Sequence, residues 1–88
     1  MQIKTFEELY EEVKKLYPEV KTFGKKTIRI FTGFKQENFY TPLEYRIHNK
    51  DNLGKYKITE GVDERIIAPP TKDPQKIYNV IKALEECE

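Results

Sequence analysis

The sequence predicts an α+β domain. The expected form is a two-layer sandwich in the order helix, four-stranded antiparallel meander, helix, with both helices on one face of the sheet. Three observations predict it. Apolar residues recur at three- and four-residue spacing near both ends of the chain. Short runs between them alternate apolar and polar residues. Turn formers separate those runs by short connections, which favour neighbouring antiparallel strands. The 88 residues make one domain, 1–88, with no room for a second core.

Thr5 reads as the N-cap of the first helix, and Glu8 completes a capping box. Phe6, Leu9, Tyr10, Val13, Leu16, Tyr17 and Val20 form one apolar stripe. Pro18 is expected to end this helix at about Tyr17. Val20 and Phe23 then pack from a connection that breaks at Gly24.

Residues 27–35 are the first predicted strand. Ile28, Ile30, Thr32 and Phe34 face inward; Thr27, Arg29, Phe31 and Lys35 face outward. In the second, Phe39, Thr41, Leu43, Tyr45 and Ile47 share the inner face, and Tyr40, Pro42, Glu44, Arg46 and His48 the outer one. Pro42 has no N–H for the ladder and belongs at a strand start, an edge or a bulge. Asn49 to Gly54 is rich in turn formers. Tyr56 and Ile58 point inward from a short third strand, with Lys55, Lys57 and Thr59 outward. Glu60 to Asp63 is a turn, and Arg65 to Ala68 a fourth strand that Pro69-Pro70 stops. Asp73 is the N-cap of the closing helix and Pro74 its first residue. Ile77, Val80, Ile81 and Leu84 form its apolar stripe. Glu85, Glu86 and Glu88 oppose the helix dipole, so the last turn is expected to fray.

The formal net charge is only +1, but it is unevenly placed. Residues 24–59 carry eight Lys/Arg against three Asp/Glu, and residues 60–88 four against seven. A basic middle between more acidic ends suggests a positive side that attracts anionic partners. The predicted register gives that side a place. The exposed sheet face collects Arg29, Phe31, Lys35, Tyr40, Glu44, Arg46, His48, Lys55 and Lys57, with the acidic residues mostly on the helices behind. Arg and Lys hold phosphates, and Phe and Tyr offer rings to unstacked bases. A solvated strand face uses the same polar residue types, and exposed Lys also discourages edge-to-edge pairing.

The order α-β-β-β-(β)-α is similar to that of the double-stranded RNA-binding domain family. That family opens its last helix with a lysine cluster that grips phosphates. Here the segment is Thr71-Lys72-Asp73-Pro74-Gln75-Lys76, with an acid in the middle and no basic run. No binding residue carries over from the resemblance.

Glu44, Arg46 and His48 alternate on one strand face, about 7 Å from each to the next. A carboxylate, a guanidinium and an imidazole are the groups that metal-free RNA cleavage needs, if they converge. No spacing of His48, Cys87 and the acidic residues resembles a zinc site, and no glycine-rich phosphate loop is present. No metal or cofactor is expected. Cys87 reads as a peripheral apolar residue, and a lone thiol forms no internal disulfide.

No apolar run resembles a signal peptide or a membrane span, so a cytoplasmic protein without a membrane partner is expected. The Lys- and Glu-rich composition fits a thermophile or an AT-rich genome. Three functional readings follow. The first is a small non-enzymatic binding module meeting an anionic partner, nucleic acid or an acidic protein surface, through the sheet face. The second is a protein-interaction or inhibitor protein of viral or mobile-element type. The third is a metal-independent ribonuclease. A homodimer built by pairing edge strands is compatible with all three.

Overall fold

A computed structural model describes residues 2–31, 44–61 and 63–86. The first helix, α1 (Phe6–Lys14), leads into an antiparallel sheet of five strands. These are β1 (Glu19–Phe23), β2 (Thr27–Phe31), β3 (Glu44–His48), β4 (Lys57–Glu60) and β5 (Arg65–Ile66), and each lies beside its sequence neighbours. The closing helix is α2 (Pro74–Glu86).

The strand count corrects the expected four. Glu19–Phe23, read from sequence as a connection, is an edge strand paired with β2 from Glu19↔Phe31 to Phe23↔Thr27. Gly24 closes the turn that follows, at φ +60, a left-handed backbone that glycine adopts without strain. The last two strands are shorter than expected. Tyr56 makes only an isolated bridge to Thr71, and β5 stops at Ile66.

The first helix also ends earlier than the apolar stripe suggests. The amide of Lys15 bonds Glu12 O and that of Leu16 bonds Val13 O, a tightened last turn. Pro18 disfavours helical backbone at Tyr17, so Tyr17 reaches the core from beyond the helix. At the other end Thr5 Oγ1 accepts the Glu8 amide at 3.1 Å. The Glu8 carboxylate meets the Thr5 hydroxyl at 3.3 Å instead of the Thr5 amide of a full capping box. In α2, Asp73 Oδ1 accepts the Gln75 amide at 2.9 Å, as an N-cap should. Helical structure continues through Glu85 and Glu86, and the expectations about Cys87 and Glu88 lie outside the described residues.

The alternation in β2, β3 and β4 puts Ile28, Ile30, Tyr45, Ile47 and Ile58 on one face. They form a single buried cluster with Tyr56, with Ile3, Phe6, Leu9, Val13 and Tyr17, and with Ile77, Tyr78 and Ile81 of α2. Each fully buried Ile or Leu in it contributes about 1.5–3 kcal/mol relative to exposure. The cluster anchors the inner face and leaves Arg29, Arg46 and His48 to the outer one. Thr32, Phe34, Lys35, Phe39, Tyr40, Thr41, Pro42 and Leu43 lie outside the described residues.

Candidate functional site

Strand register arranges the outer face in rows. Lys21, Arg29, Arg46 and Thr59 are successive cross-strand neighbours. Phe23, Thr27, His48 and Lys57 form the row on one side, and Glu19, Phe31 and Glu44 the row on the other. Of the residues expected on this face, Arg29, Phe31, Glu44, Arg46, His48 and Lys57 are there. Lys55 precedes β4 outside the paired strands, where its amide bonds Asp51 Oδ1. Lys35 and Tyr40 lie outside the described residues. Thr59 faces outward as expected but is buried, not exposed.

Glu44 reverses its expected exposure. It is only 6% exposed. Arg29 Nε donates to its Oε2 at 2.7 Å and Arg29 Nη2 to its Oε1 at 3.2 Å. Arg46 Nη2 donates to Oε1 at 3.1 Å. The Arg29 hydrogen bonds, helped by Arg46 and opposed by burial, hold the Glu44 carboxyl below its ordinary pKa. The bond to Glu44 likewise raises the pKa of Arg46. The guanidinium carbon of Arg29 lies 5.2 Å from the Phe23 ring centre and 5.1 Å from that of Phe31. Cation–π attraction therefore adds to the carboxylate pairing in fixing this side chain.

His48 meets a different carboxylate. Glu64, in the β4–β5 turn, brings Oε1 to 3.4 Å from Arg46 Nη1 and 3.3 Å from His48 Nε2. Neither Arg46 Nε nor His48 Nε2, both buried, has an aligned hydrogen-bond partner among the described residues. Burial pushes the His48 pKa below its ordinary value, and Lys57 and Arg46 add to that while Glu64 opposes it. Phe23, Thr27, Arg29, Arg46, His48 and Glu64 line a shallow depression of about 220 Å³.

The outer face is thus less basic than the sequence suggests. Lys21, Arg29, Arg46 and Lys57 face Glu19, Glu44 and Glu64, and both arginines are paired. Several lysines without an ion pair among the described residues lie at the end of the sheet where β1 turns into β2. Asn49, just after β3, donates its amide to Lys26 O at 2.8 Å and its Nδ2 to Lys25 O at 2.6 Å. Lys50 Nζ lies 5.8 Å from the Tyr56 ring, and Tyr56 bridges to Thr71 beside Lys72. Lys4, Thr5, Phe6 and the acidic Glu7 share a surface depression with Asn49, Lys50 and Tyr56. Both helices start at this end, joined by the Ile3 amide on Gln75 Oε1 at 2.8 Å. Lys4, Lys25, Lys26, Lys50, Lys55, Lys57 and Lys72 make no ion pair among the described residues. Of the carboxylates there, Asp51 and Asp73 are engaged by backbone amides.

Sequence reasoning missed Phe23, Glu64 and this lysine-rich end. The Gly24-Lys25-Lys26 break between two β-prone stretches was the signal for the hairpin that brings Phe23 to the face. Nothing local marks Glu64, whose role depends on the register of β3 with β4.

The chemistry follows from these pairings. Glu44 spends its oxygens on two arginines, while His48 faces Glu64, at 3.3 Å, and not Glu44. No group of three or more His, Cys, Asp or Glu side chains able to hold a metal occurs among the described residues. No helix there is long and apolar enough to cross a membrane. No family model, curated protein or solved structure matches the chain. Among the described residues, the order of one helix, five strands and one helix also differs from that of the double-stranded RNA-binding domain, and Asp73 is committed to capping α2.

Proposed function

We propose that this chain is a small non-enzymatic binding module that holds a single-stranded nucleic acid at the lysine-rich end of its outer sheet face. The observation that carries the reading is the Lys25-Lys26 turn next to Phe23, which is 50% exposed, with Lys57 in the same cross-strand row and Lys50 at the same end of the sheet, over Tyr56 on its helix side. Lysines that make no ion pair among the described residues can replace the cations condensed on a phosphate backbone. A half-exposed ring next to them can stack on a base, worth about 1–3 kcal/mol per base. Arg29, wedged by Phe23, Phe31 and Glu44, supports a flat surface on which a strand can lie.

Fluorescence anisotropy with short single-stranded RNA and DNA tests this. Affinity should fall steeply with added salt, with a slope of about −0.7 per phosphate contact. Absence of binding at low salt, or an affinity indifferent to salt, overturns the reading.

One observation favours a protein partner instead. The arginines are already neutralised, and apolar Phe23 and Ile66 are 50% and 53% exposed on the same face. Such a mixture of arginine and aromatic groups suits the core of a protein interface. Stoichiometric recovery of one protein without nucleic acid from the native host distinguishes that alternative.

A further inference from the structure

Two carboxylates sit on the outer face against arginine, and they are held very differently. Glu44 is buried and bound at 2.7–3.2 Å by Arg29 and Arg46. Glu64 is 47% exposed at its side chain and offers a single oxygen, at 3.3–3.4 Å, to two groups at once. Its backbone is at φ +51, a left-handed conformation that costs a non-glycine residue about 1 kcal/mol or more. Buried Arg46 Nε and His48 Nε2 stay without aligned partners beneath it. Buried polar groups are normally satisfied, so these two mark a place where the protein's own contacts are incomplete.

The surrounding depression can take a larger anion. Its volume of about 220 Å³ is several times the roughly 30 Å³ share of one water molecule. Arg29, Arg46, His48, Thr27 and Phe23 line it with Glu64. Glu64 is the one carboxylate among those lining residues.

We propose that the Arg46–His48 depression is a phosphate seat and that Glu64 is a built-in competitor occupying the position of a phosphate oxygen. A phosphate offers several oxygens where Glu64 offers one. It can therefore meet Arg46, His48 and Thr27 together, while Glu64 swings out on its turn. The seat rests on the nucleic-acid reading above and sharpens it. One phosphodiester of the strand sits here, its neighbouring base on Phe23, and the lysines hold the phosphates beyond.

Nuclear magnetic resonance of the Arg46 Nε–H and the His48 ring reads the seat directly. Inorganic phosphate is titrated into the parent protein, Glu64→Gln and Glu64→Gly. Glycine accepts the left-handed backbone, so the second variant removes the carboxylate without adding strain. Both variants should bind phosphate about tenfold more tightly than the parent, because a like charge has been removed from the site. A parallel titration with a short single-stranded oligonucleotide separates the two proposals. Equal oligonucleotide affinity in all three proteins, without an Arg46 shift, overturns the seat but leaves nucleic-acid binding standing. Tighter phosphate binding in both variants without any oligonucleotide binding upholds the seat and overturns the nucleic-acid reading. If phosphate moves neither Arg46 nor His48 in any of the proteins, the seat does not exist.

Discussion

Arg29 and Arg46 face each other directly in the register of β2 and β3, and the carboxylate of Glu44 joins them. Like charges at cross-strand positions repel. The shared counter-ion turns that repulsion into a clamp between two neighbouring strands. Removing it should therefore be costly. Breaking a fully buried pair costs about 3–5 kcal/mol, but both arginines keep some contact with water, so about 1–3 kcal/mol is expected for Glu44→Gln. Urea denaturation measures it. The same substitution in an Arg29→Gln background should cost distinctly less, since the clamp is already open. A change within about 0.5 kcal/mol in the parent background would show that the clamp adds nothing to stability.

Acid should weaken the fold in two separate windows. Glu44 is held below its ordinary value of 4.5, chiefly by the Arg29 hydrogen bonds. Its contribution is complete above that value and is lost as pH falls through the lowered folded pKa. Asp51, held below its ordinary 3.8 by the amides of Lys55 and Leu53, acts in the same sense. His48 acts earlier. Burial lowers it from 6.5, so the unfolded chain takes up this proton first and stability starts to fall below that pH. Urea midpoints measured from about pH 3 to about pH 8 should show both steps. His48→Gln should remove only the upper one, and Glu44→Gln should shrink only the lower. A midpoint flat between neutrality and the carboxylate range would contradict the His48 assignment.

How much of this was legible in the chain varied by element. Ile28 and Ile30, Tyr45 and Ile47, and Tyr56 and Ile58 alternate with polar residues, and all six are buried. One buried face against one polar face writes its period into the sequence. β1 writes none, because only Val20 is even partly buried along an otherwise exposed edge strand. The arginine stripe was legible, but its neutralisation was not. Glu44 is fifteen residues from Arg29, and their contact exists only once the strands are in register. The basic middle of the chain is the clearest case. Its two arginines are paired on the face, while Lys25, Lys26, Lys50, Lys55 and Lys57 come together at one end through turns whose meeting only the topology decides.

The core makes a contrast with the exposed apolar residues. Ile47 is completely buried in a strand with neighbours on both sides. Ile47→Ala should cost about 2–5 kcal/mol, through lost transfer energy and the cavity left behind. Ile66→Ala, on the short outer strand, should change stability by no more than about 0.5 kcal/mol. If Ile66→Ala instead weakens binding of a partner at unchanged stability, the outer face is an interface at its β5 edge too. Paired denaturation and binding measurements on the two variants read both effects.

The lysine-rich end allows the most discriminating measurement of function. Lys25→Gln, Lys50→Gln and Lys57→Gln in combination remove charges that make no ion pair among the described residues, so the fold should be almost unaffected. If each lysine meets one phosphate, the slope of log affinity against log salt should become shallower by about 2, at roughly 0.7 per contact on a single strand. The loss should be uniform across base sequences, because phosphate contacts position a strand without reading it. Phe23→Ala should behave in the opposite way, weakening binding by about 1–3 kcal/mol per stacked base while leaving the salt slope unchanged. Anisotropy titrations at several salt concentrations separate the two signatures. A triple variant that binds like the parent with the parent's slope would move the contact surface away from this end of the sheet. A triple variant that loses affinity without any change of slope would mean that these lysines act through something other than phosphate.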